Sequence, residues 1–250
     1  MSSLSVIVVS HDSADHLARL LPSIDVPAQV IVVETGRDPG EATIHLPENP
    51  GFGAANNAAI AQAGGDICAL LNPDVVLPPG ALGALAAAAE RTDALHVPRL
   101  IYPDGTAQDS IHPLPGARLN YLRALSPGRV RRAIGERAAG WAIAAMMVAR
   151  TETLRRLGPF DPAIHLFYED LDLCLRARAA GVPLRLHPHL AVTHVGGHST
   201  GAEDIPLQVS RRRDVAGRDW PADRRALMLE HAVRAFRARD RAWVGALRRG

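Results

Sequence analysis

The chain has 250 residues, 47% hydrophobic and 22% charged, which suits one large α/β domain or at most two small ones. It has no run of about 18 apolar residues, which excludes a membrane-spanning helix. Its two cysteines, Cys68 and Cys174, with no CxxC pair, exclude a disulfide framework and a cysteine-ligated zinc. The net charge of +2 hides an asymmetry: residues 201–250 hold 12 Arg against 7 Asp or Glu (+5), so the first 200 carry −3. An acidic body with a basic tail is not the pattern of a nucleic-acid binder. The first residues lack the charged, apolar and small-residue regions of a secretory leader, so a cytoplasmic protein is expected.

Leu4–Ser10 is a β-branched apolar run that reads as a strand buried on both faces. Ser13 can cap a helix carrying Leu17, Leu20, Leu21 and Ile24, with Pro22 ending or bending it. Gln29–Glu34 is a second buried strand and Ile44–Leu46 a short third. Gly51–Gly53 opens a small-residue helix, Ala54–Ala63, stopped by Gly64 and Gly65; Asp66–Leu71 is again a strand. Pro78, Pro79 and Gly80 lead into an Ala-rich helix ending near Arg91. The order β-α-β-β-α-β-α implies a mostly parallel sheet with helices on both faces, and such sheets bind ligands at the carboxyl ends of their strands. Three polar stretches fall there: His11-Asp12-Ser13, Glu34-Thr35-Gly36 and Asn72-Pro73-Asp74.

The second half is less regular. Leu100–Pro115 contains a Pro-Asp-Gly turn, and residues 116–140 read as a mobile loop with helical pieces. Trp141–Ala149 reads as one strand or buried segment. Glu169–Ala180 reads as a helix with Leu171, Cys174 and Leu175 inward, closed by Gly181 and Pro183. Leu184–His194 gives one or two short strands, and an amphipathic Arg-rich segment starts near Gln208.

Several motifs carry chemistry, each with a plain structural alternative. Asn72-Pro73-Asp74 puts a carboxylate at a strand's end, where it can hold Mg²⁺ or Mn²⁺ against a diphosphate, or make an ordinary turn. Glu169, Asp170 and Asp172 crowd a helix start; they complement the macrodipole, and the same field favours the ionised form a general base needs. Among His187, His189, His194 and His198, His194 stands out by ending an apolar strand segment. Gly51-Phe52-Gly53 has Asn56 at the third glycine position of a dinucleotide fingerprint, and no Walker A sequence occurs.

Together, SVIVVSHDS (5–13), NPGFGAANNA (49–58), LLNPDVVLPP (70–79), RLIYPDGT (99–106), LGPFD (157–161), FYEDLDLCLRARAAG (167–181) and THVGG (193–197) resemble the inverting family 2 glycosyltransferases of the GT-A type, in their bacterial rhamnosyltransferase-like branch. The resemblance implies a GT-A domain over residues 1–200, Rossmann-like with a mostly parallel sheet, and a basic helical segment over 201–250. It implies an Mg²⁺ or Mn²⁺ ion held by Asp74 and His194, and Asp170 as the base, paired with Glu169. The nucleotide sugar would meet Ser10, His11, Glu34, Asn49, Gly53, Asn57, Asn72 and Asp74. The donor would be dTDP-rhamnose, and the acceptor a hydroxyl on a glycan, a lipid-linked saccharide or a small molecule.

Departures from the family pattern are Glu34-Thr35-Gly36-Arg37 for Asp-Asn-Gly-Ser, His11-Asp12-Ser13 for Tyr-Asn-Ser, and Ile143-Ala144-Ala145 for a Gly-Ala-Cys-like run. The other functional classes are a nucleotide-sugar-binding protein without catalysis and a nucleotidyltransferase. The latter requires a Gly-rich basic loop after the first strand, which Ser10–Ala14 does not provide. Residues 211–249, basic with interleaved Leu, Phe and Trp, suit either peripheral contact with an anionic membrane or packing on the domain or on a second subunit.

Overall fold

The structure, a computed structural model, describes residues 2–112, 140–162, 164–166 and 169–196. The expected loop over most of 116–140 and the C-terminal segment lie outside the described residues.

Eight strands form one sheet in the order β3-β2-β1-β4-β9-β6-β10-β5. They are β1 (Leu4–Ser10), β2 (Gln29–Glu34), β3 (Ile44–His45), β4 (Ile67–Leu71), β5 (Val75–Val76), β6 (Leu95–Ile101), β9 (Met146–Arg150) and β10 (Leu184–His194). A small second sheet pairs β7 (Ile111–His112) with β8 (Trp141–Ala142). β1 runs parallel to β2 and β4, β2 to β3, and β6 to β10. β9 is antiparallel to both β4 and β6, and β5 is antiparallel to β10. The helices are α1 (Ala14–Leu20), a 3₁₀ turn at Leu21–Ser23, α2 (Phe52–Gln62), α3 (Ala81–Arg91), α4 (Thr151–Leu157) and α5 (Glu169–Ala179).

Strand alternation sends neighbouring residues to opposite faces, and both faces are apolar. Ile7, Val9, Cys68, Leu70, Met147 and Ala149 pack on one side with Ala55, Ala59 and Ile60 of α2, Leu154 of α4 and Leu173 of α5. Val6, Val8, Ala69, Leu71, Met146 and Val148 pack on the other with Leu20, Leu82 and Leu85. The central strands therefore cannot slip by one residue without exchanging two complete cores.

The first half follows the sequence reading closely. Pro22 converts the end of α1 into the 3₁₀ turn. Ser13 sits at the N-cap of α1, but its hydroxyl donates to the His11 carbonyl at 2.9 Å, and the helix starts on backbone bonds to Ser13 O. The second half needs more correction. Trp141–Ala149 is not one strand: the chain leaves β8, bends at 143–145 and re-enters the main sheet as β9. Leu184–His194 is one strand with an irregularity between His187 and Ala191. In α5 Leu171 and Cys174 are buried as expected, Leu173 is buried as well, and Leu175 is half-buried. β6 and α4 had no clear apolar pattern, because His96, Pro98 and Arg99 interrupt one and two threonines and two arginines dominate the other.

Candidate active site

β1, β2, β4, β6 and β10 all end at one edge of the sheet, and antiparallel β9 starts there. This topology brings Ser10, Glu34, Asn72, Asp74 and His194 to a common edge although 184 residues separate the first from the last. Asp74 follows β4 in a tight turn where Val75 N–H donates to Asn72 O at 3.4 Å. Its Oδ2 accepts the Gly196 N–H at 2.9 Å, and its Oδ1 lies 3.3 Å from His194 Nε2. Burial pushes the Asp74 carboxyl up. The Nε2–H bond and the positive charge that His194 supplies when its ring is protonated, together with the Gly196 N–H, outweigh this and hold it below the usual carboxylate range.

The donor set suits a divalent cation. Asn72 Oδ1 is buried with no hydrogen-bond partner among the described residues, an orphaned hard oxygen beside a buried carboxylate. Asn72 Nδ2 lies 3.3 Å from His194 Nε2, so oxygen and imidazole donors stand together. Among the described residues no cluster of three or more His, Cys, Asp or Glu forms a closed metal cage. A site with two such ligands and a carbonyl oxygen fits a cation that shares its shell with a ligand's phosphates and water.

Asp170 is buried at the first turn of α5. Burial pushes its carboxyl up to about 6 even though it accepts N–H bonds from Leu171 at 2.7 Å and Ala144 at 3.3 Å. A carboxylate titrating near 6 is suited to taking a proton from a hydroxyl near neutral pH. The bend at 143–145 joins it to the Asp74 end: Ala144 N–H reaches Asp170, and Ala145 O accepts the Asn72 N–H at 2.8 Å. The bulk of Ile143 therefore sits on a backbone segment that spaces the two acids. Both cysteines are buried, which pushes their thiols up to about 12, so neither is an activated nucleophile.

Glu34 is buried, and its Oε1 accepts N–H bonds from Asp12 at 3.0 Å and Gly36 at 2.6 Å. Asp12 adopts φ +49°, and its Oδ1 accepts the Arg37 N–H at 3.2 Å. A Cβ on Gly36 would fall 2.0 Å from that oxygen, so the loops after β1 and β2 close on each other only because residue 36 is glycine. Thr35 Oγ1 donates to Ser10 O at 2.9 Å and lies 3.2 Å from His11 Nδ1. The Ser10 hydroxyl itself is buried without a partner among the described residues.

Three expected sugar-site residues are used by the fold itself. Asn57 Nδ2 donates to Phe160 O at 2.8 Å, and its Oδ1 accepts the Phe160 N–H at 2.9 Å, fastening α2 to the segment that leads into α5. Asn49, at φ +45°, accepts the Gly51 N–H at 3.3 Å. Gly53 admits Phe160, whose Cβ would lie 2.9 Å from an added methyl. Sequence reasoning singled out the segments that hold Thr35, Ala144 and Gly196 without assigning these residues a contact, and it missed Gln108.

Residues 4–154 match the sequence profile of glycosyl transferase family 2. The chain is 28% identical to the N-acetylglucosaminyl-diphospho-decaprenol L-rhamnosyltransferase of Mycobacterium tuberculosis, over 80% of this chain and 78% of that protein. In structure it resembles S. aureus TarS (TM-score 0.55, 19% identity, 77% of this chain) and GalNAc-T7 solved with UDP, GalNAc and Mn²⁺ (TM-score 0.61, 14% identity, 78% of this chain). The chain spans about a third of the first structure and under half of the second.

Proposed function

The chain belongs to glycosyl transferase family 2, and from that premise we propose that it is an inverting sugar transferase using a nucleoside-diphosphate sugar and a divalent cation, with Asp170 as its base. The observation that carries the reading is the pair of unlike carboxyls on one short backbone bridge. Asp74 is held ionised beside His194 and an orphaned Asn72 oxygen, while Asp170 is pushed up to about 6 by burial. Two acids with environments that push them apart divide the work of a displacement.

In this mechanism Asn72, Asp74 and His194 would hold the cation, which when bound would offset charge on the leaving diphosphate. Asp170 accepts the proton of an acceptor hydroxyl, that oxygen bonds to the anomeric carbon, and the bond from carbon to diphosphate oxygen breaks. One displacement inverts the configuration. The Leu171 and Ala144 N–H groups keep the carboxylate aimed. Glu34, fixed by two backbone donors, gives the base pocket its acceptor, with Ser10 and His11 beside it.

Rhamnose as the sugar and a polyprenyl-linked saccharide as the acceptor are supported by the name of the mycobacterial relative. A lipid-linked acceptor would put the reaction at a membrane surface. No described helix is long and apolar enough to cross one, and the basic segment 201–250 supplies the peripheral contact. Co-sedimentation with anionic but not neutral liposomes, weakened by salt, is expected; equal behaviour with both removes that contact.

The test is incubation with dTDP-rhamnose and a synthetic N-acetylglucosaminyl prenyl diphosphate, with Mn²⁺ or with EDTA, read by mass spectrometry and by NMR of the new linkage. Metal-dependent transfer with inversion is expected. Transfer with retention, or at an equal rate in EDTA, contradicts the mechanism.

A further inference from the structure

We infer that Gln108 is a positioning residue of the cation site, fixing the proton of His194 on Nδ1 and leaving the Nε2 lone pair for the metal. The inference rests on the cation reading above.

Gln108 reaches the site because β6 ends in a tight reversal. Tyr102 N–H bonds Thr106 O, Asp104 caps Thr106, and Gly105, at φ +81°, turns the chain back. Gln108 N–H then pairs with Leu100 O at 3.0 Å, which lays its side chain over the end of β10. There Gln108 Oε1 lies 2.7 Å from His194 Nδ1. An amide oxygen only accepts, so the neutral ring carries its proton on Nδ1. Asn72 Nδ2 lies 3.3 Å from Nε2, so without a cation this amide faces the same lone pair.

The opposite tautomer would point N–H at Asp74 Oδ1, 3.3 Å away, and close the imidazole to a cation. With the lone pair on Nε2, a carboxylate oxygen and an imidazole nitrogen present electron pairs to the same small space, an arrangement that a cation between them satisfies. Metal-ligating histidines commonly donate their second N–H in this way, and the acceptor controls ring orientation. Gly196 completes the device. Its N–H holds Asp74 Oδ2 at 2.9 Å, its φ is +72°, and a Cβ there would sit 3.2 Å from Gln108 Nε2.

The experiment pairs two readouts on the full chain. Long-range ¹H–¹⁵N NMR of the metal-free wild type at about pH 8, where imidazole side chains are neutral, should show His194 protonated on Nδ1. Titration with Mn²⁺ in the presence of pyrophosphate, followed by EPR, should show Q108L binding Mn²⁺ roughly 10–100-fold more weakly, with Q108E restored to near wild type. Wild-type His194 protonated on Nε2, or Q108L equal to wild type in Mn²⁺ affinity, overturns the inference while leaving the cation site standing. Wild type that takes up no Mn²⁺ overturns the cation reading and this inference with it. The wild-type tautomer decides the matter even where Q108L does not fold.

Discussion

Replacing Asp170 with asparagine should slow the chemistry severely and raise stability, and the second effect depends on pH. Burial lifts the Asp170 carboxyl from 3.8 to about 6, so the folded protein holds this proton more tightly than the unfolded chain does. Its stabilising contribution is complete below pH 3.8 and is lost as pH rises through about 6, where the folded state must carry a buried charge. A shift of about 2 units corresponds to about 3 kcal/mol. Asparagine escapes that cost. It offers one acceptor where the carboxylate serves both Leu171 and Ala144, and the unmet N–H costs about 1 kcal/mol. The net gain at pH 8 is about 2 kcal/mol, or roughly 4–8 °C in melting temperature for a chain of this size. Thermal melts of both proteins at pH 8 and near pH 4 test this. The gain should vanish at the lower pH, where wild-type Asp170 is protonated. A variant that melts no higher than wild type at pH 8, or whose advantage is the same at both pH values, refutes the argument. Transfer by the same variant should fall by about 10²–10⁴-fold with donor binding kept. Wild-type kcat/KM should decline as pH drops below about 6, the titration of this group.

Asp74→Ala should weaken nucleoside-diphosphate binding only when Mn²⁺ is present; affinity that is unchanged with and without the metal counts against its role. Gly51→Ala places a Cβ 2.2 Å from His165 O at φ +100°, and should cost about 2–4 kcal/mol in urea unfolding; a loss within error would mean the 49–53 loop is free to move. Arg176 donates to Leu157 O, to Gly158 O at 3.0 Å, to Pro159 O at 2.7 Å and to Asp172 Oδ2 at 2.8 Å, so it ties the start of α5 to the segment before it. Arg176→Met should destabilise by about 2–3 kcal/mol and lower kcat more than KM; an effect on stability alone would separate it from the positioning of Asp170.

The parallel half of the fold was legible because its central strands are buried on both faces and read as unbroken apolar runs. β6 and β9 were harder to see. β6 carries Pro98 and Arg99 at its middle, and β9 gains its identity from pairing with β4, 79 residues before it, and with β6. The motifs behind the proposed roles of Asp74, Asp170 and His194 are local: a carboxylate after a strand, acids at a helix start, a histidine two residues before a glycine. Gln108 has no such motif, since nothing in its own neighbourhood distinguishes it from any polar loop residue; its place follows from the Gly105 reversal and the parallel pairing of β6 with β10. Asn57 illustrates the opposite case. A polar residue in a motif looked like a ligand contact, and its amide is spent on the Phe160 backbone.

The account rests on a donor site that needs a cation, and calorimetric titration with dTDP, UDP and GDP, each with and without Mn²⁺, tests that most directly. The account predicts that dTDP binds and does so only with the metal present. Binding of none of the three under either condition, or binding indifferent to Mn²⁺, would contradict it and leave a domain of this fold without the chemistry proposed for it.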